Sequence, residues 1–166
     1  MQPIRTEISD TRFRDVLGHY CSGVAVITAI DGGEPVGFAC QSFQALSLEP
    51  PMVTFAAART STTWPRIQGA GRFAANVLAE GQDALCRQFA VSGGDKFAGV
   101  DWRAGRTGSP LLTGALAWVD CEITDVLEGG DHVIVVGRVA DLAADGRTGP
   151  LLFFRGRFGV LADGAC

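Results

Sequence analysis

Four consecutive hydroxyl side chains, Thr60-Ser61-Thr62-Thr63, stand where a short helix is expected to begin. Serine and threonine at such a position ordinarily cap the helix. Four in a row exceed what a cap requires. With free backbone N–H groups and the positive end of the helix dipole, they would form a cradle for a phosphate. Arg59, Arg66 and Arg87 are the nearby cations for charge-assisted contacts to such a group. The run Gly37-Phe38-Ala39-Cys40-Gln41-Ser42-Phe43 places small and polar side chains where a buried strand would be apolar. Small residues let a flat ligand approach the backbone; a strand with one solvated face is the plainer alternative. Gly130-Asp131-His132 forms a tight turn entering the apolar run Val133–Val136. A turn histidine is usually only solvated, but it is also the side chain most easily poised near neutral pH. Cys40 has no partner base identifiable by spacing, which argues against a thiolate nucleophile.

Other routes to chemistry lack their motifs. No GxxxxGK[ST], GxSxG or HExxH is present, so nucleotide-hydrolase, esterase and metalloprotease signatures are missing. GAGRFA (69–74) matches a dinucleotide fingerprint, but that fingerprint needs a strand before it and a helix after. Here the expected order is helix, then strand, and two turn glycines account for the match.

The elements that must position these residues follow from periodicity. Residues 9–21 read as a helix capped by Ser9 or Asp10, with Phe13, Val16, Leu17 and Tyr20 on one stripe and His19 off it. Val24–Ile30 and Val36–Phe43 flank Asp31-Gly32-Gly33 as a hairpin. A strand Met52–Ala57, a helix from the hydroxyl cluster to about Gly69, a strand Arg72–Leu78 and a helix over 81–91 come next. After an irregular stretch through Trp102 and Pro110, strands are expected at Ala115–Leu127, Asp131–Leu142 and Leu151–Val160. Near-adjacent strands with tight turns and only three short helices favour a mainly β, antiparallel barrel over a doubly wound sheet.

Composition bounds the class. The chain has 166 residues, 47% apolar and 19% charged, which fits one folded domain spanning 1–166 and excludes disorder. Glycine supplies 22 residues and proline 7, as expected for many tight turns. Fourteen Lys and Arg against 18 Asp and Glu give a net charge of −4, which argues against a nucleic-acid binder with a broad basic face. The five cysteines are odd in number and form no CxxC, and only two histidines accompany them. Neither a metal site nor a disulfide framework is expected, which suggests a reducing compartment. MQPIRTEISD carries no secretory signal, and no apolar stretch is long enough to span a membrane, so a cytoplasmic protein is the expectation.

Nine segments occur together in one order: SGVAVIT (22–28), GFACQSFQALSLEPPMVTF (37–55), STTW (61–64), RFAANVL (72–78), QDALCRQFA (82–90), DKFAGVDW (95–102), GSPLL (108–112), GGDHVIVVG (129–137) and LLFFRGRF (151–158). In these the chain resembles the short-chain flavin reductase family, the NAD(P)H:flavin oxidoreductases of two-component monooxygenases. GFACQSF and DKFAGVDW are closest in wording to the reductases of actinobacterial steroid-ring hydroxylases. The resemblance implies an FMN-binding split barrel, an antiparallel Greek-key barrel with a few short helices, assembled as a homodimer with sites at the subunit interface. It implies FMN or FAD and NADH, or else NADPH, as ligands, and a separate monooxygenase supplied by diffusing reduced flavin.

Residue by residue, the family's flavin contacts fall on Ala39, Cys40, Gln41 and Ser42, on Ala56 and Ala57, and on Ser61 and Thr63 around the phosphate, with Thr62 joining from the hydroxyl cluster. Further contacts fall on Asn76, Val77, Leu78, Arg87 and Phe97. His132 matches the family histidine beside the nicotinamide, and Phe154, Arg155 and Gly156 match a segment near the NADH pocket. Backbone amides of Cys40–Ser42 or Asn76–Leu78 would stabilise charge on the reduced ring. Three positions depart from the pattern: Ala39 replaces a common Thr, Cys86 a frequent Ser, and Gln88 a second basic residue. A non-enzymatic flavin carrier or redox sensor on the same barrel is the alternative. A pyridoxamine-phosphate oxidase-like activity ranks lower, having no matching substrate-phosphate signature.

Overall fold

The structure is a computed structural model that describes residues 7–162. Cys166 and the first six residues of the N-terminal stretch lie outside the described residues.

The ordering principle is a seven-stranded antiparallel sheet built mostly from hairpins. Its strands are β2 (Ala25–Asp31), β3 (Glu34–Cys40), β4 (Gln44–Leu48), β5 (Pro51–Ala58), β6 (Arg72–Val77), β9 (Ala117–Gly129) and β10 (His132–Ala144), in the spatial order β3-β2-β6-β9-β10-β5-β4. β2–β3, β4–β5 and β9–β10 are hairpins, and longer crossovers join them. The 24–43 hairpin turns at Gly32 and Gly33, whose φ values of 58° and 89° suit glycine. β3 and β4 lie at opposite ends of this order, so no ladder closes the sheet upon itself. The sheet nevertheless coils until Phe38 of β3 meets Phe55 of β5, with ring centroids 6.0 Å apart. The barrel is therefore split, in agreement with the expected fold.

Two apolar clusters fill the layers on either side of β2. Ile27 joins Phe55, Phe73 and Val135 inside the coiled sheet. Its neighbour Val26 points the other way, to Leu78, Phe89 and Leu112. Covered on both faces, β2 needs a continuous apolar run. The outer cover includes helix α3 (Asp83–Ala90), whose Cys86 and Phe89 are buried.

Several boundaries differ from expectation. Helix α1 spans Asp10–Leu17 and stops at Gly18, four residues after Arg14, whose carbonyl accepts the Gly18 N–H; Ser9 caps its start by accepting the Arg12 N–H. No residue of α1 is buried: Phe13 on its apolar stripe is 57% exposed, and Tyr20, expected within the helix, lies beyond its end and is 81% exposed. Helix α2 spans Trp64–Ala70, and Gly71 in the left-handed region ends it before β6 begins, the order that defeats the dinucleotide motif. Leu151–Val160 is not one strand. Arg155 and Gly156 turn at φ 49° and 77° and divide it into β11 (Leu152–Phe154) and β12 (Arg157–Gly159), a hairpin whose β11 also pairs with β1 (Ser22–Gly23) in a three-stranded sheet. The stretch read as irregular contains β7 (Trp102–Ala104) and β8 (Pro110–Leu112).

Candidate functional site

β3 ends at Cys40, and residues 41–43 cross to β4 along the split in the barrel. Here the chain forms a ledge. The Ser42 hydroxyl accepts the Ala56 N–H at 2.8 Å and donates to the Ala56 carbonyl at 3.2 Å. The Cys40 sulfur lies 3.2 Å from the same hydroxyl. Because that oxygen already donates its one proton, the consistent assignment has the thiol donating to it. Burial pushes the Cys40 thiol above its ordinary pKa. Cys40 is thus a protonated structural thiol.

A cleft of about 560 Å³ opens against this ledge. Its lining includes Ala39–Ser42, Ala56, Ala58, Thr60–Thr63, Lys96 and His132. Strand register decides this arrangement. Ala58 pairs directly with His132 across β5–β10, so their side chains share a face. Ala57 pairs with Val133, and both turn into the core. Ala57 is 1% exposed and cannot reach a ligand in this cleft with its side chain.

At His132, Nδ1 lies 2.7 Å from Asp131 Oδ1. That hydrogen bond holds the Asp131 carboxyl below its ordinary pKa. An ionised Asp131 accepts the Nδ1 proton and so fixes the ring with Nε2 as its unengaged nitrogen. Arg59 secures the turn beneath: its Nε donates to the Gly130 carbonyl at 2.9 Å, its backbone N–H to the Asp131 carbonyl at 3.0 Å, and its guanidinium pairs with Glu128.

The phosphate end differs from the expected cradle. The N–H groups at the α2 start are spent: Trp64 donates to Ser61 Oγ, Pro65 has none, and Arg66 and Ile67 both donate to the Thr63 carbonyl. Ser61 is therefore a cap, and Thr62 and Thr63 line the cleft beside it. The three arginines are also committed. Arg59 holds the His132 turn; Arg66 pairs with Asp31 at 2.6 Å and Glu34 at 3.3 Å; Arg87 pairs with Asp83 at 2.8 Å and lies 5.0 Å over the Phe158 ring. The cation on the cleft is Lys96, absent from the sequence-based candidates. Its Nζ donates only at long range, 3.3 Å, to the Phe89 carbonyl, and burial lowers its pKa. Gln88 secures this lysine's loop, donating to the Lys96 carbonyl at 2.8 Å and the Ala98 carbonyl at 2.9 Å. The basic residue missing at 88 is thus replaced by an amide that holds another cation in place. Lys96 is the second residue of DKFAGVDW; a cation at that place in the segment was the available signal.

Other candidates lie elsewhere. Asn76 is fully buried: its Nδ2 donates to Val26 O, Thr28 Oγ1 and Pro110 O, and its Oδ1 accepts the Leu112 N–H at 2.8 Å. Leu78 is fully buried, with its amide bonded to the Val24 carbonyl, so the 76–78 backbone supplies no charge-stabilising donor from Leu78. Val77 lines a separate cavity of about 750 Å³ under Leu17 and Tyr20, on the other side of the Cys40–Ser42 ledge. Phe97 packs edge-on against Phe89 at 5.0 Å and faces a third cavity beyond Lys96. Phe154, Arg155 and Gly156 sit at the β11–β12 tip, where the Arg155 N–H bonds the Gly18 carbonyl; they do not share a cleft with His132 within one protomer. Gly37, at the start of the small-residue run, serves packing: a Cβ there would lie 2.7 Å from the Ile27 carbonyl and 3.1 Å from the Phe89 ring.

Comparison with known proteins gives one consistent answer. A family described as the flavin reductase like domain matches residues 17–162. The reductase subunit HsaB of a flavin-dependent monooxygenase from Rhodococcus jostii is 52% identical over 151 residues, covering 91% of this chain and 77% of that protein. The crystal structure of nitrilotriacetate monooxygenase component B from Mycobacterium thermoresistibile superposes with a TM-score of 0.89 at 46% identity, covering 92% of this chain and 86% of the other. The NADH:FAD oxidoreductase SgcE6 of Streptomyces globisporus, in complex with NAD and FAD fragments, gives a TM-score of 0.89 at 36% identity, covering 94% of each chain.

Proposed function

The chain belongs to the flavin reductase like domain family, and on that premise we propose that it is an NAD(P)H:flavin oxidoreductase that supplies reduced FMN or FAD to a separate monooxygenase. The observation that supports this most is one cleft lined by small residues together with Lys96, Thr62, Thr63 and His132. Its donor set fits a flavin. A planar ring needs a flat, close surface, which Ala39, Ala56 and Ala58 provide. An anionic tail needs a cation and hydroxyls, which Lys96, Thr62 and Thr63 provide.

A flavin held there would supply the redox chemistry, as acceptor of a hydride from the nicotinamide. The protein's task is then orientation and exclusion of water. The Ser42–Ala56 clasp keeps the ledge flat. Lys96 anchors the tail, and Gln88 fixes the lysine's loop. His132, held by Asp131 and underpinned by Arg59, orients the nicotinamide amide or ribose and is no obligatory acid. No helix among the described residues is long and apolar enough to cross a membrane.

A homodimer belongs to this proposal. The exposed stripe of α1 is an apolar surface in need of cover, and a second copy would bring its own Phe154–Gly156 tip toward the first copy's cleft. Mass measurement in solution tests it, and a monomer at working concentration would count against a shared site.

The decisive assay follows absorbance at the NADH band with and without added FMN or FAD. The expected result is oxidation that depends on free flavin, by a protein that is largely colourless as purified. Flavin binding without NADH or NADPH oxidation would instead favour a carrier or sensor.

A further inference from the structure

Lysine occurs once in the 166 residues, at position 96; every other cationic side chain is arginine. A guanidinium stays charged at any working pH and offers an electrophile no lone pair, whereas a lysine amine loses its proton readily when buried and is a target of acetylation. Amine-directed chemistry on side chains therefore has a single address in this chain, and that address lines the cleft. We propose that Lys96 is an acylation site, taking its acyl group from an acyl phosphate, and that acylation switches off flavin phosphate binding. The switch rests on the flavin reductase reading, since it silences the cation assigned to the flavin tail.

The amine is lightly held. Its one hydrogen bond is long, 3.3 Å to the Phe89 carbonyl, and no carboxylate pairs with it among the described residues. Two carboxylates line the cavity beyond it, and both are engaged elsewhere: Glu34 pairs with Arg66 at 3.3 Å, and Asp95 accepts the Phe97 N–H at 3.0 Å. Burial lowers the Lys96 pKa, so more of this amine carries a free lone pair near neutral pH than an open surface lysine would. Gln88 donates to the Lys96 carbonyl at 2.8 Å, so the amine is presented from a settled loop.

Access and recruitment come from the same surfaces. Lys96, Thr62 and Thr63 line both the cleft of about 560 Å³ and a further cavity of about 770 Å³. The amine is thus reachable from two open spaces, with hydroxyls beside it to receive a phosphate. An acyl phosphate brings that phosphate as its leaving group.

The neutral amine's lone pair attacks the acyl carbon, and a C–N bond forms. The bond from that carbon to the bridging oxygen breaks, and inorganic phosphate departs with the electron pair. The proton released from nitrogen passes to the phosphate or to water, and nothing is oxidised or reduced. The amide that remains carries no charge and cannot pair with a flavin phosphate.

Acetyl phosphate is the probe, and peptide mass spectrometry reads where the acetyl group lands. Lys96 is expected to be acetylated in preference to the chain's α-amino group, and more selectively than by a phosphate-free acetyl thioester. FMN should protect it and riboflavin should not. After treatment the FMN Kd should rise roughly tenfold, the scale of one charge-assisted contact, while that of riboflavin stays in place. Lys96→Arg keeps a cation and takes no acetyl group, so treatment should leave that variant's own FMN Kd where it began. An unmodified Lys96 beside an acetylated α-amino group overturns the site. Equal selectivity from the two reagents overturns recruitment through phosphate. An FMN Kd that shifts alike in Lys96→Arg overturns the switch. If the untreated protein binds neither flavin, the reductase reading falls, and the acetyl map still decides the site.

Discussion

Ser42 Oγ stands 2.8 Å from the Ala56 amide nitrogen and 3.2 Å from its carbonyl oxygen, so one side chain occupies both backbone groups of a residue across the split in the barrel. β4 pairs with β5 only from Gln44↔Thr54 onward. Two residues further along that register the hydroxyl replaces the missing strand partner. The ledge therefore keeps the spacing of a ladder while its floor stays free of a crossing backbone.

Removing that clasp should cost both stability and ligand affinity. Ser42→Ala leaves the Ala56 amide without its partner, a loss of about 1–2 kcal/mol by the usual cost of an unmade hydrogen bond. Urea unfolding would register that loss, and flavin titration a weaker Kd. Ser42→Thr keeps the hydroxyl and should recover much of both. Unchanged unfolding and binding in Ser42→Ala would show that the clasp is idle.

Lys96 gives flavin binding a pH signature. Its pKa is lowered by burial, and only its charged form attracts the flavin phosphate. Phosphate binding favours the protonated amine, so affinity is full below the lowered pKa and falls as pH rises through it, at a pH below the ordinary lysine range near 10.4. Riboflavin, which lacks the phosphate, should show no such fall. In Lys96→Gln, FMN affinity should drop by roughly tenfold, the scale of one charge-assisted contact, and the alkaline decline should vanish. A decline that persists in this variant assigns the effect to another group.

His132→Ala separates the two substrates. The nicotinamide nucleotide KM should rise, or flavin reduction should slow, while flavin Kd changes little, because the ledge and Lys96 are untouched. Stopped-flow reduction paired with flavin titration reads both. Lost flavin binding with intact NADH kinetics would move His132 from the nicotinamide to the flavin.

Asn76 should behave as a structural residue. Its side-chain amide joins β2, the Thr28 hydroxyl and the β8 backbone, all buried. Asn76→Leu abandons the Leu112 N–H and Pro110 carbonyl contacts and should lower stability by roughly 2–4 kcal/mol. At a temperature where the variant stays folded, its flavin KM should remain near that of the unaltered chain. A large rise in that KM with unchanged stability would restore Asn76 to the ligand site.

Gly37→Ala tests what the small residues are for. The new methyl would meet the Ile27 carbonyl at 2.7 Å, and a backbone atom cannot swing aside. Overpacking of this kind costs about 1–3 kcal/mol. Thermal unfolding should detect it, and no loss of stability would mean that β3 shifts freely at this point.

What the chain's own order of residues determined is local and periodic. The alternation and glycine turns specify the β2–β3 and β9–β10 hairpins. The apolar run of Val24–Ile30 specifies a strand covered on both faces. The helix-then-strand order around Gly71 rules out a dinucleotide fold. The nine ordered segments point to flavin reduction, and they include the Cys40–Ser42 ledge and the His132 turn.

Tertiary structure decided the rest, because it depends on register and on competition between partners. Spacing cannot show that Ala57 faces the core while Ala56 and Ala58 face the cleft, since that follows from pairing with Val133 and His132. Nor can it show that Arg59, Arg66 and Arg87 are each held by a carboxylate, one of them 69 residues away. Those pairings leave Lys96 as the cation for the proposed flavin phosphate, beside a cleft lined by residues of β3 and β5. A charge becomes available only after every closer partner has been counted, and that count exists only in three dimensions.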